Sequence, residues 1–298
     1  MQTHRVDSTY CSSDSWTILS SIEQTIKQKV EAIGTPLKDW DICINYGIKT
    51  GFNDAFIISS ETKDAILSNC LDDEERNRTA EIIRPILRGR DIKRYGYQYA
   101  DLHIVATFPS RHYDIDDYPA LKDFLLSFRI ERLEQTGAEH IVGGEKVKAR
   151  KKTSNKWYET QDSISYWDEF SKPKIVWGNL NTYGSYAIAP QGMFINAPAC
   201  MIVPGDNYLL AHLNSKIADY YIRNLGVVRN GGFFEYKPMF VEQIPIPKPT
   251  EEIEQRINEI FEMECSQQEK ENLLEDIIES QYGFTEEELT FLRNQQNR

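Results

Sequence analysis

Pro245, Pro247 and Pro249 stand at alternate positions in the run Ile244-Pro245-Ile246-Pro247-Lys248-Pro249. Each proline fixes φ and removes a backbone donor, so the run can continue neither a helix nor a central strand. A chain carrying it changes character there. Residues 250–298 hold 14 Asp and Glu against 4 Lys and Arg, a net of −10, whereas residues 1–249 hold 32 against 30, a net of −2. The overall charge of −12, which alone would argue against a phosphate-bearing partner, therefore belongs almost wholly to the tail.

The tail reads as helical. Thr250 caps a helix whose first-turn acids Glu251 and Glu252 suit the positive end of the dipole, with Ile253, Ile257, Ile260 and Phe261 on one stripe. Leu273, Leu274, Ile277 and Ile278 continue an apolar face, and Thr285-Glu286-Glu287-Glu288 has the spacing of a capping box for a last helix. At the other end residues 1–14 are polar and read as a frayed start without a signal peptide. From Ser15, the residues Ile18, Leu19, Ile22, Ile26, Val30 and Ile33 predict an amphipathic connector helix closed by Gly34-Thr35-Pro36.

Between these ends, short strand patterns occur at Asp41–Tyr46, Ala55–Ile58, Asp101–Thr107, Lys174–Trp177, Ser185–Ala189 and Ala199–Val203. Helical patterns intervene at Glu61–Asn69, Asp73–Ile83, Ala120–Glu134 and Asn207–Leu225. No regular βαβ period links them. The expected class is α+β, with a twisted, largely antiparallel sheet and flanking helices. The expected organisation is a connector helix over residues 1–36, one domain over 37–249 and a helical segment over 250–298.

Several function classes are disfavoured. Apolar residues make up 40% of the chain and aromatics 11%, which argues for a folded protein. Apolar runs such as Ala199–Val203 fall far short of a membrane span. Five dispersed cysteines (Cys11, Cys43, Cys70, Cys200 and Cys265) form no CxxC pair, so reduced thiols and a cytoplasmic location are expected. There is no P-loop and no Asn-Pro-Pro-Tyr motif; Asn196-Ala197-Pro198-Ala199 is only a faint echo of the latter. Glu235-Tyr236-Lys237 has the spacing of half a Mg-dependent nuclease site, but Pro238 follows directly and no Pro-Asp precedes it on a strand. Five dispersed histidines complete no ligand motif. Neither catalysis, nor a cofactor, nor a metal is expected of these residues.

Four segments carry cations or amides in loop-like settings. In Gly47-Ile48-Lys49-Thr50-Gly51-Phe52-Asn53 the two glycines allow positive φ and close backbone approach, while Lys49, Thr50 and Asn53 supply donors; an ordinary hairpin loop would read the same way. Arg84–Tyr95 has five bases in twelve positions, with Arg88, Arg90 and Arg94 open to phosphate and Asp91 placed to pair with one of them. Lys146, Lys148, Arg150, Lys151, Lys152 and Lys156 crowd eleven positions before Trp157-Tyr158, and Gly143-Gly144 upstream suggests a loop that orders on binding. Trp157 is open to a core role or a contact role. Asn179, Asn181 and Arg229 sit in Gly- and Asn-rich links, which suit base edges and turns equally.

An ordered series of blocks then resembles a known family. Trp40, followed by Tyr46-Gly47-Ile48-Lys49-Thr50-Gly51-Phe52-Asn53-Asp54-Ala55-Phe56-Ile57-Ile58, is similar to the opening of the TaqI-like C-terminal specificity domain of type IIG restriction-modification enzymes and adenine-specific DNA methyltransferases. Later blocks follow in family order: Ile86–Tyr95, Lys156-Trp157-Tyr158-Glu159, Lys172–Trp177 and Phe240–Pro247. The resemblance runs from Leu37 to Pro249, and the tail from Ile277 through Tyr282-Gly283-Phe284 to Glu288 is similar to the ending of methyltransferase-fused versions. It implies a target-recognition domain for double-stranded DNA, without catalytic residues of its own. It also implies a partner methyltransferase domain, in the same parent chain or in trans, that binds S-adenosylmethionine, with Mg²⁺ if a nuclease is fused.

On that reading Lys49, Thr50, Asn53, Arg88, Arg90 and Arg94 hold phosphates or bases. The stretch from Lys146 to Lys156 clamps the backbone, and Asn179, Asn181 and Arg229 read base edges. Three rivals stay open: a half-length type I specificity subunit that dimerises, a stand-alone Mg-dependent nuclease using Glu235, and a protein-interaction module.

Overall fold

The computed structural model describes residues 19–225, 228–229 and 231–295. The polar start, the cap expected at Ser15 and the turn residue Asn230 lie outside them. The chain forms two compact units that do not follow consecutive segments. One comprises Cys43–Asn179 and Ser185–Asp206; the other comprises the chain up to Ile42, Leu180–Gly184 and the chain from Asn207 onward.

The first unit is built on two four-stranded sheets. In one, the order is Tyr186–Ala189, Lys174–Trp177, Cys200–Val203 and Cys43–Tyr46, all antiparallel. Lys174–Trp177 is buried along its whole length. Even Lys174 is enclosed, its ammonium donating to the Lys172 and Pro190 carbonyls at 3.0 Å, and burial pulls its pKa down to about 8. In the other sheet the order is Phe194–Ile195, Ile83–Leu87, Leu102–Val105 and Ile57–Ser59. Its Phe194–Ile195 pairing with Ile86–Leu87 is parallel, as is the bridge Ile48–Asn196; the other strand pairings among the described residues are antiparallel. The α+β class and the antiparallel bias are therefore as expected, although the strands are spread over several small sheets. One core gathers Ile48, Val176, Phe194, Ile195 and Met201, with the Phe170 and Phe194 rings stacked at 4.4 Å. A second gathers Phe56, Ile83, Val105, Leu121, Leu125 and Leu133.

In the second unit, helix Ser21–Ile33 begins with Glu23 accepting the Ser20 backbone N–H at 2.7 Å, a capping arrangement five residues later than the Ser15 cap expected. Thr35–Pro36 pairs antiparallel with Pro245–Ile246, which places the proline run in a two-stranded edge where missing donors are tolerated. Because that pairing ties the run to the start of the chain, compactness does not break at Pro245–Pro249. The acidic helices Glu251–Glu262, Gln267–Ser280 and Glu286–Gln295 share a unit with Asn207–Leu213 and Lys216–Leu225. Thr250 caps the first of them by accepting the Ile253 N–H at 3.4 Å, and Thr285 with Glu288 forms the expected box at the last.

Two of the long helical patterns are broken, one by the backbone and one by a side chain. Ala120–Glu134 becomes Pro119–Leu126 and Ile130–Leu133, separated by Arg129 at φ +68°. Asn207–Leu225 becomes two helices because the Ser215 hydroxyl accepts the Ala218 N–H at 3.1 Å and starts a new one. Among the described residues no helix is long and apolar enough to cross a membrane.

Candidate nucleic-acid interface

The Gly47–Asn53 loop does what its two glycines predict. A Cβ on Gly47 would fall 2.6 Å from the Ile195 carbonyl, and Gly51 takes φ +79°. Neither position accommodates a side chain without displacement or strain. The loop is anchored from a segment over one hundred residues away. Gln161 N–H donates to the Lys49 and Thr50 carbonyls at 3.1 and 3.2 Å, Asp162 N–H donates to Lys49 at 3.2 Å, and Lys49 N–H donates to Asp162 Oδ2 at 3.2 Å.

Arg150 completes the anchorage. It is 4% exposed and donates to the carbonyls of Leu133 (2.7 Å), Thr50 (2.9 Å), Glu159 (2.7 Å) and Trp157 (2.5 Å), with its guanidinium 4.9 Å from the Phe56 ring centre. Burial lowers its pKa to about 10, so it stays charged at neutral pH. Its donors are spent inside the protein. The structure thus gives Arg150 a scaffolding role in place of the phosphate contact expected of it.

Thr50 is similarly internal: it is 1% exposed, its hydroxyl donating to Asn53 Oδ1 at 2.6 Å and accepting the Phe52 N–H at 3.2 Å. Asn53 and Lys49 are exposed. Arg88 is held by Asp91 through a two-pronged pair at 2.8 Å, the pairing the sequence allowed for. Burial works to raise the Asp91 pKa, but hydrogen bonds from Arg88 outweigh it and hold the carboxyl below its usual range. Arg90 is exposed, and Arg94 is half-buried with its guanidinium 5.1 Å from the Tyr95 ring centre.

The expected flexible loop before Trp157 is in part an ordered hairpin. Glu139–Val142 pairs with Glu145–Lys148 around Gly143 and Gly144, both at positive φ (60° and 86°), which is the backbone a two-residue turn needs. Lys146 and Lys148 point to one face and Val147 to the other, where it is buried. Ile141, opposite Lys146, is 78% exposed on the same face, which also carries the exposed Glu139 opposite Lys148. Lys151, Lys152 and Lys156 are also exposed. Trp157 is half-buried, packed on the second core and edge-on to Tyr158.

These pieces frame a cleft of about 510 Å³ lined by Ile44, Asn45, Tyr46, Lys49, Thr153, Asn155 and residues 161–166. Of the cations the sequence singles out, Lys49 lines this cleft beside Thr153 and Asn155, whereas Lys146, Lys148, Lys151, Lys152, Lys156, Arg88, Arg90 and Arg94 do not. Asn45, Asn155 and Gln161 went unnoticed in the sequence, because isolated amides carry no spacing signal.

Asn179 is half-buried, with Oδ1 shielded from solvent and without a hydrogen-bond donor among the described residues. Asn181 and Arg229 belong to the other unit, on the small sheet of Leu180–Asn181, Phe233–Glu235 and Val228–Arg229. Arg229 Nε donates to Glu235 Oε1 at 2.6 Å, and Lys237 Nζ lies 2.7 Å from Glu235 Oε2. Hydrogen bonds from Lys237 and Arg229 lower the Glu235 pKa. The carboxylate is thus an ion-pair centre between two cations, unlike the open ligand a nuclease metal requires. Among the described residues no group of three or more His, Cys, Asp or Glu is placed to hold a metal ion.

Comparison with known proteins gives the arrangement a family. The fold is similar to the type IIL restriction-modification enzyme MmeI, solved in complex with DNA, with a TM-score of 0.60 at 14% identity, covering 88% of this chain and 36% of that one. It is also similar to the type IIG restriction endonuclease BpuSI, with a TM-score of 0.50 at 15% identity, covering 88% of this chain and 33% of that one. The chain spans about a third of the length of either enzyme, and at these identities the likeness is one of fold. No curated protein matches it. The pattern of the TaqI-like C-terminal specificity domain matches residues 84–246, more than half of the chain, though it begins after the Tyr46–Ile58 block. With that match, the chain belongs to the family of TaqI-like C-terminal specificity domains.

Proposed function

We propose that this chain is the sequence-reading module of a restriction-modification enzyme of type IIG character and that its ligand is double-stranded DNA. Adenine methylation belongs, on this reading, to a separate S-adenosylmethionine-binding domain, in the same parent chain or in trans, with Mg²⁺ needed where a nuclease is fused. The observation that carries the DNA assignment is the hairpin Glu139–Lys148. It sets Lys146, Lys148 and the exposed Ile141 on one face with a single carboxylate, Glu139, opposite Lys148, and Lys151 and Lys152 follow directly. A two-stranded ribbon is narrow enough to enter a major groove, and lysines along it meet phosphates. The solved DNA complex of the similar enzyme MmeI supports the same partner.

The test is the salt dependence of duplex binding. Replacing Lys146, Lys148, Lys151 and Lys152 together by glutamine should flatten the slope of log K against log salt by roughly 0.9 for each phosphate no longer neutralised. An unchanged slope removes the hairpin from the interface. Absence of any salt-sensitive binding to duplex DNA by the native chain overturns the reading.

A further inference from the structure

The cleft of the first unit holds two side chains that the DNA-binding lysines do not account for. Asn45 lies on Cys43–Tyr46, the edge strand of its sheet, paired on one side with Met201 of Cys200–Val203. Gln161 lies on the segment that anchors the Lys49–Gly51 loop. Both are half-buried and both line the cleft, yet neither side-chain amide has a hydrogen-bond partner among the described residues. Neither amide is sealed from solvent, so in the free protein water satisfies both and a ligand edge that offers the same donor and acceptor can take that water's place.

The backbone beneath Gln161 is fixed. Its N–H is shared between the Lys49 and Thr50 carbonyls, and its own carbonyl accepts from Asn155 Nδ2 at 2.9 Å, which also donates to Thr160 at 3.0 Å. At the other wall Tyr166 donates its hydroxyl to the Tyr46 carbonyl at 2.9 Å, next to Asn45. Two unpaired amides are thus presented from braced backbone, with Lys49 exposed on the same rim. Asp162 also lines the cleft, and one of its oxygens is engaged by the Lys49 N–H.

An amide carries a donor and an acceptor side by side, which matches the N6 donor and N7 acceptor that adenine shows in the major groove. Lysine beside it supplies the charge for a neighbouring phosphate. We infer that Asn45 and Gln161 are specificity-determining residues, each reading the edge of an adenine in the recognised sequence. This rests on the duplex-DNA reading above and gives the cleft a different task from that of the hairpin, which holds the backbone.

The experiment is selection from a library of duplexes with a randomised centre, using the full chain and sequencing the bound fraction. Asn45→Ala and Gln161→Ala are compared with the native protein, and each variant is also titrated with salt. Neither amide bonds to the protein, so both variants should fold. Each should lose preference for adenine at one position by roughly 5- to 150-fold, the worth of one paired base contact, with other positions and the salt slope unchanged.

An unaltered consensus in both variants overturns the assignment, as does a loss of affinity spread evenly over all sequences. A native chain that binds duplexes with a salt slope but selects no consensus also overturns it, while leaving the DNA-binding role standing. A native chain that retains no duplex at any salt concentration brings down the module reading itself.

Discussion

The Arg150 guanidinium donates to the Thr50 carbonyl at 2.9 Å across one hundred residues of sequence. With its bonds to Leu133, Glu159 and Trp157, this side chain ties the Gly47–Asn53 loop to the segment that follows the lysine-rich hairpin. Arg150→Lys retains a charge but not the planar set of donors, and leaves buried carbonyls unpaired. We expect it to lose about 3 kcal/mol in urea unfolding. Lys148→Ala, at an exposed site only two residues away, should stay within about 0.5 kcal/mol of the native protein. Equal stability of Arg150→Lys and the native chain would show that the guanidinium is not the tie.

The hairpin can be probed at its one large apolar side chain. Ile141 is 78% exposed, so Ile141→Ala removes almost no burial and should leave unfolding unchanged. If the ribbon enters a groove, Ile141 is buried against DNA, and the variant should weaken duplex binding about tenfold while keeping its salt slope. Retained affinity would place the hairpin outside the groove.

In the second unit Asp219 is a buried node. Its Oδ1 accepts from Gly184 N–H at 2.7 Å and from the Tyr236 hydroxyl at 2.6 Å, while Oδ2 lies 2.9 Å from Arg223 Nε. Arg223 in turn donates to the Thr182 carbonyl at 2.7 Å and covers the Phe234 ring. Asp219→Asn conserves shape but turns an amide toward a cation or a hydroxyl donor, and should lose about 2–4 kcal/mol in urea unfolding. Faster amide hydrogen exchange at Gly184 would accompany it. Native-like exchange there would mean that the carboxylate does not hold the Leu180–Gly184 turn.

Local chemistry explains which parts of the molecule are legible in its sequence. Lys174–Trp177 is legible because a run with β-branched Ile175 and Val176 bounded by Pro173 and Gly178 has few alternatives, and Thr250 is legible because a cap needs only its own helix. Ile83–Leu87 is not, since Arg84 and Pro85 point to charge and away from the parallel pairing with Phe194–Ile195. Compactness across Pro245–Pro249 depends on the partner strand Thr35–Pro36, two hundred residues upstream, and no local rule reports that. At the candidate interface density in the sequence picks out the lysines, and it misplaces Arg150 for the same reason. One signal sets Arg150 apart: it is the lone arginine among five lysines between 146 and 156, and its forked donors suit buried carbonyls better than an ammonium does. Asn45 and Gln161 meet only through tertiary structure.

The pH dependence of stability has one well-defined source in the second unit. His212 is buried, with Nδ1 3.0 Å from the Tyr208 carbonyl and Nε2 3.3 Å from Gln281 Nε2. An amide N–H donating to Nε2 fixes the neutral tautomer with the proton on Nδ1. Burial lowers the pKa to about 4 from the usual 6.5, against a smaller opposing effect of the Tyr208 carbonyl. Between these values the unfolded chain binds a proton that the folded chain refuses, so stability is full above pH 6.5 and falls as pH drops toward 4. The loss should be on the order of 3 kcal/mol. His103, in the first unit, is also lowered by burial and acts in the same direction, whereas the depressed carboxyls of Asp91 and Glu288 act below their own ordinary range. His212→Gln should therefore be less stable at about pH 8 but lose less stability on acidification to about pH 4.5, while His103→Gln leaves the larger slope in place. Parallel stability curves for the native chain and His212→Gln would assign the acid sensitivity to other groups.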